Sequence, residues 1–92
     1  MRRFARQTKL AEIGAAGQAK IAEASITVGR GFAGWVEARY LRAAGVGDVR
    51  DGAEELVDAR FDGLDPAARD VALGAHAAVV AIQAVVSRAR NP

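Results

Sequence analysis

The sequence predicts an α/β domain: N-terminal helices, then a strand, a glycine turn and a helix, then a long C-terminal helix. Three observations carry that prediction. Ser25-Ile26-Thr27-Val28 is a short β-type run that stops at Gly29, as a buried strand entering a turn does. Phe32, Trp35, Val36, Arg39, Tyr40 and Ala43 then recur at three- and four-residue spacing, the period of a helix. Residues 71–86, VALGAHAAVVAIQAVV, form an apolar run behind Asp65-Pro66, a pair that suits an N-cap and a first helical position.

Taken in order, residues 1–24 hold helix-prone pieces split by Gly14 and Gly17, with Leu10, Ile13 and Ile21 as apolar anchors. The strand over 25–28 follows. The helix expected over 32–44 meets stop signals at Gly45 and Gly47. Val46 to Val49 suits a short strand. Leu56 to Phe61 alternates well enough for another, with Asp51-Gly52 as a turn between them. The last helix is expected to end near Arg88, where Arg88 and Arg90 suit its negative end. Its 71–86 stretch is apolar almost all round, unlike a surface helix with one apolar stripe. Such a helix calls for cover on several sides, which points to a subunit interface.

Composition narrows the chemistry. The 92 residues make one domain, and 51% of them are apolar. Much of that share is alanine, which buries little area, so burial is expected to be completed by dimerisation, exchange of elements between subunits included. With no cysteine, disulfides, thiolate metal sites and cysteine nucleophiles are excluded. Residues 1–50 carry nine Lys or Arg against four Asp or Glu, and residues 51–92 four against seven. This asymmetry is read as solvated faces or subunit attraction, and nucleic-acid binding is not expected. Arg2, Arg3 and Arg6 precede no apolar run of signal-peptide type. The stretch 71–86 is short for a bilayer and holds His76 and Gln83. A cytoplasmic protein without a membrane segment is the expectation.

One motif could carry chemistry. Gly29-Arg30-Gly31-Phe32-Ala33-Gly34 is a G-x-G-x-x-G between a strand and a helix, the context of a Rossmann-like nucleotide site. There the first glycine makes the turn, the second admits phosphate, and the third lets helix and strand pack closely. Arg30 could pair with phosphate, and Asp48 or Asp51 stands near the distance of a ribose-binding acid. Phe32 instead puts a bulky ring in the loop. The alternative is a glycine turn kept only for close strand–helix packing.

Longer stretches resemble a family. Arg3-Phe4-Ala5-Arg6-Gln7, Leu10, Glu12-Ile13-Gly14, Gly17-Gln18 and Lys20-Ile21 look like the opening of the ThiF/MoeB/HesA enzymes. Those enzymes adenylate ubiquitin-like and sulfur-carrier proteins. The likeness runs on through Ile26 to Gly29, Gly31, Gly34, Tyr40-Leu41 and Ala43 to Gly47, covering residues 3–49. A weaker likeness over 65–86 rests on D-P-A-A-R and G-A-x-A-A-x-x-A-I. It implies a Rossmann-like unit, ATP at Gly29, Gly31 and Gly34, dimerisation, and Arg6 reaching toward a partner's ATP phosphates. Asp51 matches the ribose-binding Asp if the second strand is shortened. Against the family pattern, Arg30 and Phe32 stand where small residues are usual. The Asn-x-x-Arg-Gln stretch, the catalytic Lys and the cysteines have no counterpart.

The expectation is therefore a single truncated domain over 1–92 of this type, non-catalytic and without metal or cofactor. It would form a homodimer, or pair with a full-length relative or a carrier protein. A minimal ATP- or AMP-binding protein using Gly29, Arg30, Gly31, Gly34, Asp51 and Arg6 is the alternative. His76 is expected to be a packing or interface side chain. The cluster Asp51, Glu54, Glu55 and Asp58 reads as a solvated face, and Trp35 and Tyr40 as core or interface residues.

Overall fold

The computed structural model describes residues 14–90, with side chains to Arg88. Leu10, Ile13 and Arg6 lie outside that range. Residues 14–23 (α1) are helical and run unbroken through Gly17, which is buried and does not split the helix. Ile21, four residues on, is 3% exposed and shares the inward face, as i,i+4 neighbours do.

Strand β1, Ser25–Thr27, pairs in parallel with β2, Asp48–Arg50, in the register Ser25–Asp48, Ile26–Val49, Thr27–Arg50. Helix α2, Gly31–Ala43, makes the crossover that a parallel pair needs. The fold is α/β with a two-stranded sheet. Ile26 and Val49 pack on the core, whereas Ser25 and Thr27 are exposed. The strand expected to be buried is thus covered on one face only.

Helix α2 lies where the periodicity placed it, but with its faces exchanged. Of the six residues that marked the helix, only Val36 is buried; Ala33, Gly34, Glu37, Ala38 and Leu41 complete the inner face. Phe32, Trp35 and Tyr40 are 48%, 55% and 50% exposed. Close approach decides this. A Cβ on Gly34 would lie 1.5 Å from Gly29 O, and one on Gly74 would lie 2.4 Å from Ala33 O. Backbones that near leave room between them for small side chains and none for rings. The helix ends in a Schellman motif at Gly45 (φ 98°). Gly45 N–H donates to Arg42 O at 3.0 Å, and Val46 N–H to Leu41 O at 3.0 Å.

Beyond β2 the strand expected over Leu56 to Phe61 is replaced by a 3-10 turn, Ala59–Phe61. Asp58 accepts from Arg60 N–H at 3.0 Å, a side-chain bond that competes with any ladder. Nor does Asp51-Gly52 reverse the chain. The segment continues beside the glycine turn, with Val28 N–H bonded to Arg50 O at 2.9 Å and Arg30 N–H to Glu54 O at 2.8 Å. Gly52 is needed because a Cβ there would meet Val28 O at 2.3 Å.

Helix α3, Pro66–Arg90, begins at the expected proline and runs two residues past the expected end. Its Leu73, Ala78 and Val85 are buried, and Leu41 of α2 is the largest fully buried side chain. The length argument against a membrane helix does not hold, since Pro66–Arg88 is long and apolar enough to cross a bilayer by length and composition. The globular packing is consistent with a soluble protein.

Candidate functional site

The glycine turn starts where β1 hands the chain to α2. Gly29 N–H donates to Glu37 Oε1 at 2.9 Å, a buried bond reaching back from the second turn of the helix. Arg30 N–H is taken by Glu54. Gly31 adopts φ 71° with nothing within 4 Å of a Cβ placed there. The left-handed conformation, not lack of space, favours glycine at that position. Gly34 has the opposite cause: it is glycine because Gly29 O occupies the place of its Cβ. Leu56 lies against Gly29, its Cγ 2.4 Å from where a Cβ would stand. The third glycine therefore serves strand–helix packing, and the first is covered by the chain itself.

Two open clefts border the turn. One, of about 290 Å³, is lined by Gly29, Arg30, Gly31, Gly34 and Asp51, together with Trp35 and Arg42. Every described residue of the expected nucleotide site thus lines a single cleft. Trp35 and Arg42 were missed as lining, although both lie on the helix that Gly31 begins, one and three turns further on. The volume is at the lower limit for a small-molecule pocket.

The second cleft, of about 530 Å³, lies between the start of α2, residues 55–58 and the start of α3. Glu55, Asp58, Asp62 and Asp70 line it against Arg30 and Arg69. Arg30 is bound to Glu55 at 2.6 Å, so its charge is already answered. A phosphate chain there would face an excess of carboxylates, and the Coulomb sum opposes it. Phe32, expected to crowd the loop, lines this second cleft and stacks on Trp35 at 5.7 Å.

His76 joins the edge of this region. Arg60 Nη2 lies 2.7 Å from His76 Nε2. A guanidinium can only donate, so Nε2 is the acceptor in this contact. Phe61 packs edge-on at 5.9 Å. Asp58, 3.8 Å from the ring, binds Arg60 at 2.6 Å. Asp51, Glu54 and Glu55 of the acidic run are exposed, as a solvated face requires, whereas Asp58 is half-buried and held by Arg60. The Arg60 side chain and its backbone N–H hold the Asp58 carboxyl down to about 2. With the folded value lowered, the stability contributed by Asp58 is present above about 3.8 and lost as pH falls through about 2. A carboxyl titration followed by NMR is expected to find Asp58 with a midpoint near 2, and Arg60→Ala is expected to return it toward the ordinary value.

No group of three His, Cys, Asp or Glu able to hold a metal occurs among the described residues. Comparison with protein-family models, with curated proteins and with solved structures gives no match. The class rests on fold and site alone: a small α/β protein whose helical crossover is packed by glycine contacts and carries Phe32, Trp35 and Tyr40 on its outer side.

Proposed function

We propose that this chain is a non-catalytic module of ThiF/MoeB/HesA type that acts through association with other chains. It forms a homodimer, or pairs with a full-length adenylating enzyme or a ubiquitin-like or sulfur-carrier protein. One observation carries this: among the described residues, eight large apolar side chains stand exposed. Phe32, Trp35, Tyr40, Val57, Leu64, Val71, Val79 and Val80 are each more than 40% exposed, and uncovered apolar surface on that scale marks association sites. The α2 ridge has the composition of an interface anchor, with Phe32 stacked on Trp35 and Arg39 5.0 Å over the Trp35 ring. A parallel β–glycine turn–α–β unit also supports the Rossmann-like part of the reading.

The non-catalytic part is supported by the glycine turn, whose first two N–H groups are taken by Glu37 and Glu54. The second reading, a minimal ATP- or AMP-binding protein, has in its favour the single cleft shared by Gly29, Arg30, Gly31, Gly34 and Asp51. Two measurements separate them. Light scattering is expected to give a dimer at micromolar concentration, and calorimetry with millimolar ATP or AMP to give no heat. Monomer only, with saturable nucleotide heat, reverses the choice. For the pairing version, adenylation by a full-length relative is expected to rise when this chain is added, and Arg6→Ala to remove the rise.

A further inference from the structure

We infer that the larger of the two clefts binds a free apolar α-amino acid as a zwitterion, its carboxylate on Arg69 and its ammonium on Asp62 and Asp70. This goes beyond the association reading and does not rest on it. The cleft lies between the start of α2, residues 55–58 and the start of α3, and its volume of about 530 Å³ falls within the range of small-molecule pockets. Part of its charge is already answered, Glu55 by Arg30 at 2.6 Å and Asp58 by Arg60 at 2.6 Å. Three charged lining residues are not. Arg69, Asp62 and Asp70 border the same cleft, yet among the described residues no ion pair joins any of them to a neighbour. Arg69 is half-buried, and its Nε is buried without a hydrogen-bond partner. The guanidinium is thus partly desolvated with no carboxylate to offset the cost, and a carboxylate at its terminal nitrogens supplies that offset.

Charge selects the ligand. A simple anion on Arg69 meets the four carboxylates of the lining, and the Coulomb sum opposes it. A simple cation answers Asp62 and Asp70 but leaves Arg69 as it is. A ligand that carries both charges and no net charge satisfies all three residues. An α-amino acid does so compactly, with its ammonium and carboxylate on one carbon. The remaining lining sets the side chain. Phe32, Leu56, Val57 and Leu73 border the same cleft, and Phe32 and Val57 are 48% and 78% exposed. An apolar side chain laid against them removes that surface from water, which favours leucine over a polar amino acid.

NMR titration of the full chain with millimolar leucine tests the site. Saturable shifts are expected at the backbone amides of Leu56, Val57 and Leu73. Leucinamide, which lacks the carboxylate, and N-acetyl-leucine, which lacks the ammonium, are each expected to bind about tenfold or more weaker. Two variants separate the contacts. Arg69→Gln is expected to weaken leucine by a similar factor and to leave leucinamide unchanged. Asp62→Asn with Asp70→Asn is expected to weaken leucine and to leave N-acetyl-leucine unchanged. Because the two analogues are compared on the wild-type chain, the outcome stands even where a variant fails to fold. Absence of saturable shifts with leucine overturns the inference, as do shifts confined to residues away from the cleft. Equal binding of leucine and both analogues overturns the zwitterion assignment, since the cleft then reads only the apolar side chain.

Discussion

Gly34→Ala is expected to destabilise the fold by about 3 kcal/mol or more. On a solvent-facing helix the same change would stabilise by up to about 1 kcal/mol, because glycine is a poor helix former. Here the added methyl would lie 1.5 Å from Gly29 O and 2.3 Å from Gly29 C, where ordinary contact is about 3.5–4.0 Å. The obstacle is backbone, not a side-chain tip that can turn aside. Helix α2 must therefore move off β1, and that motion loosens Leu41, Val36 and the Glu37–Gly29 bond together. In a protein whose whole stability is on the order of 5–15 kcal/mol, the thermal midpoint should fall by about 15 °C or more.

Two other glycines serve as controls. Gly63→Ala, with open space around the new atom, should change stability by no more than about 0.5 kcal/mol. Gly31→Ala meets no atoms but must hold φ 71°, costing about 1–2 kcal/mol. Chemical denaturation followed by circular dichroism ranks the three. A Gly34→Ala protein as stable as Gly63→Ala would mean that the strand–helix contact is not as close as described.

The same contact explains which parts of the fold the sequence made legible. Gly29, Gly45 and Pro66 are local signals, and β1, the end of α2 and the start of α3 fall where they point. The orientation of α2 is not local. Its strongest periodic residues are the large ones, Phe32, Trp35 and Tyr40, but the gap that α2 fills is set by Gly29 and Gly74 on other elements. The inner face is therefore small, and a rule that sends large apolar residues inward picks the wrong side. Leu56 to Phe61 failed for a related reason. Alternation fits a strand only if a neighbouring strand offers a ladder, and Asp58 caps its own turn instead. Gly52 read as a turn residue because turns and close contacts both select glycine. Of the candidate site, the glycine positions and Asp51 were legible as lining of one cleft. Glu37 was not, although its place between Ala33 and Leu41 at four-residue spacing was the available sign of a buried carboxyl.

Glu37→Leu is expected to cost about 1–3 kcal/mol, and Glu37→Gln to behave in the opposite way. Glu37 is 5% exposed, and its Oε1 is the acceptor for Gly29 N–H. Leucine would leave that buried donor without a partner, whereas glutamine keeps a carbonyl oxygen in reach of it. The charge has its own effect. Desolvation by burial raises the Glu37 carboxyl above its ordinary 4.5, and the bond from Gly29 offsets only part of the rise. The folded state therefore holds the proton more tightly than the unfolded chain does. That contribution to stability is complete below about 4.5 and is lost as pH climbs through the raised folded value. Wild-type stability should decline over that climb, and Glu37→Gln should flatten the profile. At neutral pH the glutamine variant should be at least as stable as wild type, with its advantage vanishing below about 4.5. Urea midpoints measured from pH 4 to 8 test both parts. Equal losses for glutamine and leucine at neutral pH would mean that the ionised carboxylate itself stabilises the turn, in which case the negative charge behind Gly29 is one more reason for the turn to refuse a phosphate.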